Sequence, residues 1–127
     1  MTSQNEDRRK KRSLDPLVAL HYQLSTARSE GELDTIVLAD TAGMVVAGAG
    51  PWAACEEIAA YAPLFTQTDS AGATDRIAEL RAEVDVRPLR ISGQDVLLCA
   101  RRRRAGKDHE AAITRAAAGI SRILAAA

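Results

Sequence analysis

Few residues in this chain have the type and spacing to do chemistry, and each set can be weighed on its own. Asp40-Thr41-Ala42-Gly43 places a carboxylate beside a glycine turn, close to the Asp-Thr-Gly with which aspartic proteases aim their catalytic group. The inserted alanine alters that turn, and the reaction needs two aspartates sharing a proton, which one motif supplies only across a dimer. Asp40 therefore reads as a turn aspartate that bonds the backbone ahead of it. Gly48-Ala49-Gly50 lacks the third glycine of a dinucleotide fingerprint, and Pro51 removes an amide that a phosphate would use. No Gly-x-x-x-x-Gly-Lys-Ser/Thr loop is present, so the chain is not itself a P-loop GTPase. Cys55 and Cys99 have no metal-ligand spacing and sit in apolar runs, Trp52-Ala53-Ala54-Cys55 and Val96-Leu97-Leu98-Cys99. They read as reduced core thiols of a cytosolic protein. His21 has no partner ligand at useful spacing and reads as a half-buried structural histidine. His109 reads as an exposed residue beside a helix start, and no Ser-His-Asp set is recognisable by spacing. The residues argue against an enzyme, and they call for no cofactor and no metal.

The charges offer a different possibility. Lys plus Arg and Asp plus Glu are equal, at 17 each, so no overall field attracts nucleic acid or a membrane. Two basic blocks stand out, Arg8 to Arg12 and Arg101 to Lys107, with five basic residues in each. Residues 1–12, MTSQNEDRRKKR, carry nothing apolar after Met1 and read as a flexible basic tail. The second block continues a strand, so Arg101, Arg102, Arg103 and Arg104 would be held in a fixed pattern and are the candidate partner-binding residues.

The elements that must position these residues follow from the pattern of apolar positions. Ser13 is a candidate N-cap for a first helix with Asp15 and Pro16 in its first turn, ended near Gly31. Leu14, Leu17, Val18, His21, Leu24 and Arg28 fall at helical spacing, with Leu17, Val18, Leu24 and Ala27 the expected core set. Ile36-Val37-Leu38-Ala39 and Met44-Val45-Val46-Ala47 are short apolar runs joined by Asp40–Gly43, a hairpin whose strands should lie centrally in a sheet. Pro51 opens a second, alanine-rich helix through Ala62, which Pro63 should end or kink. Three of the chain's four aromatic residues, Trp52, Tyr61 and Phe65, lie in or beside it, as expected of a buried or interface surface.

A polar loop over 66–74 and a short helical turn over 75–83 lead to Val84–Ile91. Alternating apolar and charged residues make that segment a half-exposed strand, and Pro88 places it at an edge or a bulge. Ser92-Gly93-Gln94-Asp95 turns into a buried strand, Val96–Ala100, extended by Arg101–Arg104. Asp108 is a candidate cap for the last helix, whose stripe is Ile113, Ala116, Ala117, Ile120, Ile123 and Leu124. The order predicts an α+β fold, an antiparallel sheet of about five strands flanked by three helices, in a single domain over 13–127. No apolar run approaches the roughly 20 residues of a membrane span, and no signal peptide is visible, which predicts a soluble, cytoplasmic protein.

This element order, with LDTIVLADTAGMVVAGAG, resembles the Roadblock/dynein-light-chain-like family. The matching pattern is a hydrophobic strand, Asp40-x-x-Gly43, and a second strand ending in small residues before an alanine-rich helix. The resemblance spans about Leu14 to Leu124. It implies a profilin-like sheet, a homodimer formed through the second helix and its neighbouring strand, and a non-catalytic role as scaffold or regulator of a small Ras-like GTPase. Carried over to this chain, it assigns the dimer interface to Trp52, Cys55, Ile58, Ala59, Tyr61 and Ala62. The alternative is a ligand-sensing or nucleic-acid-associated regulatory module that uses the two arginine blocks, and a steep salt dependence of binding would favour it.

Overall fold

The computed structural model describes residues 16–66, 75–103 and 109–126. The elements are α1 (Pro16–Glu30), β1 (Leu33–Asp40), β2 (Val45–Ala49), α2 (Trp52–Phe65), α3 (Asp75–Glu83), β3 (Val84–Ile91), β4 (Gln94–Arg102) and α4 (His109–Ala126). The strands form one antiparallel sheet in the order β2-β1-β4-β3. The expected tail over 1–12, the caps Ser13 and Asp108, most of the 66–74 loop and Arg104 lie outside the described residues.

Strand alternation builds three layers from this sheet. Ile36 and Leu38 of β1, with Val96, Leu98 and Ala100 of β4, pack against α1 and α4. Val37 and Ala39, with Leu97 and Cys99, point the other way, against α2 and the Leu80 side of α3. A strand buried on both faces needs a continuous apolar run, which explains why β1 and the middle of β4 show almost no polar interruption. Burial of Val96 to Ala100 is complete or nearly so, at 8% exposure or less.

Four features differ from the sequence expectation, each for a physical reason. The described sheet has four strands with four helices, not about five strands with three helices, because Asp75–Glu83 is a full helix. Ile77 and Leu80 supply its buried side, and Arg76 ties it to Glu57 of α2. Second, of the two hairpin strands only β1 is central, and β2 lies at an edge; Val45 and Val46 are accordingly half-buried. Third, α1 buries Leu20, Leu24 and Ala27, while Leu17 and Val18 are about half exposed, at 50% and 54%. The core side of that helix runs i, i+4, i+7 from Leu20; Val18 falls off that side, and Leu17 precedes its first buried residue by one turn. Fourth, Pro63 does not end α2, which closes at Thr66. A proline in the last turn forfeits one intrahelical bond, and Thr66 Oγ1 donates back to the Pro63 carbonyl at 2.9 Å.

Other expectations hold. Gly43 takes φ +86° in the β1–β2 turn, and Asp40 Oδ1 accepts the amides of Ala42 and Met44, both at 2.9 Å. Pro88 lies in edge strand β3. Ser92 and Gly93, at φ +52° and +80°, make a two-residue hairpin of the mirror-image type that matches strand twist. In such a hairpin the closing pair, Ile91 and Gln94, exchanges both backbone bonds, so alternate residues back along β3 turn their amides outward. Pro88 falls at an outward position, where a missing N–H leaves the ladder intact.

Candidate functional site

The predicted interface residues divide into two groups. Cys55, Ile58, Ala59 and Ala62 have no exposed surface, because they are the stripe that α2 lays on its own sheet. Tyr61 is partly buried beside them. Trp52 alone of the six stands well out, at 56% exposure. The outer side of α2 is instead Trp52, Ala53, Glu56, Ala60 and Leu64. Apolar character in a sequence marks the side a helix gives to its own core first, and this explains the mismatch.

Beyond the C-terminal end of α2 the described residues leave part of the sheet uncovered. A cleft of about 380 Å³ opens there, lined mainly by Pro63 and Thr66 of the helix end, Thr41 of the β1–β2 turn, and Pro88 and Leu97 of the β3–β4 hairpin. Arg90 and Asp95, 3.8 Å apart, stand at its rim. The volume is within the usual range for ligand-sized pockets. No sequence motif announces it, since its walls come from four separate segments.

The arginine block has internal partners. Arg101 Nε donates to Asp34 Oδ2 at 3.0 Å, and its Nη2 makes a second contact with the same oxygen. Thr35 Oγ1, fully buried, adds a third bond to that oxygen at 2.7 Å, and Arg28 Nε donates to the Asp34 carbonyl at 2.9 Å. The register between β1 and β4 shifts between Leu33 and Thr35, so Asp34 sits in an irregularity that aims it at Arg101. The Arg101 guanidinium, then the Thr35 hydroxyl, hold the Asp34 carboxyl below its ordinary range. Arg102 Nη2 donates to the Ala82 carbonyl at 2.7 Å, with Nε 3.8 Å from Asp85. Strand β4 ends there; Arg103 lies beyond it and is exposed. The strand therefore stops at Arg102, short of the expected Arg101–Arg104 extension, and its last two arginines brace the sheet. Sequence reasoning missed the Asp34 knot, although a lone aspartate inside LDTIVL was the available signal.

Nothing among the described residues forms a reactive set. Burial pushes the Cys99 thiol up to about 12 and raises Cys55 as well, so neither is a nucleophile near neutral pH. His21 Nδ1 is 2.9 Å from the Gly48 carbonyl on the open side of β2, and His109 Nε2 is 3.6 Å from Asp85. No group of three His, Cys, Asp or Glu among the described residues could hold a metal ion. No described helix is long and apolar enough to cross a membrane.

Comparison with solved structures finds a similar fold in MglB of Myxococcus xanthus, at a TM-score of 0.56 and 12% identity. The match covers 84% of this chain and 88% of MglB. The fold is Roadblock-like. No family model and no curated protein matches the sequence. At this identity the likeness concerns the path of the chain alone.

Proposed function

We infer that the protein is a non-catalytic, homodimeric, cytoplasmic scaffold or regulator of a small Ras-like GTPase. The observation that supports this most is the Roadblock-like arrangement shared with MglB, combined with an α2 that keeps Trp52, Ala53, Ala60 and Leu64 on its outer side. Small residues let a second helix approach closely, and a closed two-fold interface is the commonest way to cover such a side. The alternative, recognition of ligand or nucleic acid through arginines, gains nothing from Arg101 and Arg102, whose guanidinium groups are engaged within the fold.

The test is affinity capture from an extract of the source organism loaded with GDP or with a non-hydrolysable GTP analogue. Retention of a small GTPase in one nucleotide state supports the reading. Retention of nucleic acid instead, lost steeply with added salt, would replace it.

A further inference from the structure

The exposed indole and the apolar cleft lie at opposite ends of one helix. Trp52 is in the first turn of α2, 56% exposed, and the cleft opens at the last turn beside Pro63 and Thr66. Trp52, Glu56 and Pro63 are spaced i, i+4 and i+11, which puts them on one side of the helix, with Trp52 and Pro63 about 16 Å apart along its axis. A two-fold axis perpendicular to a helix sets its copy antiparallel and brings like sides together, so residue i meets j and j meets i.

We propose that in the homodimer Trp52 of each protomer seats in the cleft of its partner, against Pro63, Pro88 and Leu97, so that the second copy completes each cleft. The proposal rests on the homodimer inferred above. The sizes agree: a cleft of about 380 Å³ holds an indole, and its walls are chiefly proline, leucine and valine. The area agrees as well. A tryptophan buries about 150–250 Å², and more than half of Trp52 is exposed, so two indoles with the walls that receive them cover on the order of 500 Å². The Ala53, Glu56, Ala60 and Leu64 side between them supplies the remainder toward the roughly 1,200 Å² at which specific interfaces begin. Buried aromatic anchors in pockets are where interface energy concentrates.

Trp52 is the chain's single tryptophan, so its fluorescence reports this contact without labels. The experiment measures emission and acrylamide quenching across a dilution series for the parent and Pro88→Glu, and mass by light scattering for these two and for Trp52→Ala, which has no indole to report. Pro88 is exposed and donates no ladder bond, so its replacement leaves the fold intact, which circular dichroism checks. In the parent dimer, emission is blue-shifted and shielded from quencher, and both change together on dilution to monomer. Trp52→Ala and Pro88→Glu each weaken dimerisation by roughly 30-fold or more, and Pro88→Glu leaves Trp52 quenchable. A stable dimer whose Trp52 stays fully quenchable overturns this contact, assigns the cleft to another occupant and leaves the dimer standing. A protein monomeric at every concentration overturns both.

Discussion

Three glycines among the described residues take positive φ, and they separate backbone strain from lack of space. At Gly93, φ is +80° and an added Cβ would meet nothing within 4 Å. Gly93→Ala should therefore cost only the left-handed conformation, about 1–2 kcal/mol. At Gly43, φ is +86° and the nearest atom to an added Cβ is the Ala60 carbonyl oxygen at 3.3 Å, a contact that a small shift relieves. At Gly50, φ is +118°, farther from the left-handed minimum, and the Cβ would come within 2.7 Å of the Asp34 carbonyl oxygen and 3.1 Å of Thr35 Cα. Those are backbone atoms of a central strand, held by the Arg101 and Arg28 contacts, so they do not move aside. Overpacking of this kind adds about 1–3 kcal/mol, for a total of roughly 2–5. With a urea m-value of roughly 1–3 kcal/mol per molar, a difference of about 2 kcal/mol separates the midpoints of Gly50→Ala and Gly93→Ala by about 1 M. The expected order of stability is parent, Gly93→Ala, Gly43→Ala, Gly50→Ala, at unchanged m. Equal midpoints for Gly50→Ala and Gly93→Ala would refute the packing described at the entrance to α2.

Two further predictions concern titrating groups. Asp34 is held below the ordinary carboxylate value of about 3.9, so its contribution is present above that pH and is lost as pH falls through its folded value. Asp34→Asn should be less stable than the parent by about 1.5–3 kcal/mol at pH 7, and chemical denaturation from pH 7 to pH 2 should show the gap closing on the acid side. A gap constant with pH would show that the carboxylate is not engaged. With Cys99 pushed up to about 12 and Cys55 fully buried, a disulfide reagent at pH 8 should modify both only at the rate of unfolding; prompt reaction of one thiol in the native protein would contradict their burial.

How far the sequence carried the fold depends on whether a feature was local. The Asp40–Gly43 turn and the Ser92–Gly93 hairpin were legible because their chemistry is written within four residues. Pro88 was legible for a similar reason: a residue without an amide hydrogen belongs on an edge, and β3 is one. The stripe of α4 was readable because its period persists over several turns. What escaped was tertiary. Asp75–Glu83 could not be fixed as a full helix from two apolar residues, since its anchor is Arg76 on Glu57 in another element. Arg101 and Arg102 looked free until the sheet set Asp34 and the Ala82 carbonyl beside them. The residues chosen for an interface on α2 were apolar, and the monomer's own sheet claims them; only Trp52 was left well exposed. The cleft, assembled from four segments, had no linear signature at all.

The claim that this Roadblock-like chain regulates a GTPase is tested most directly by titrating it against the purified small Ras-like GTPases of its source organism, each loaded with GDP and with a GTP analogue. The prediction is saturable binding to one of them at two chains of this protein per complex, at least about tenfold tighter in one nucleotide state, a difference of about 1.4 kcal/mol. Binding of equal strength in both states would contradict the claim of regulation, and binding to none of them would contradict the function itself.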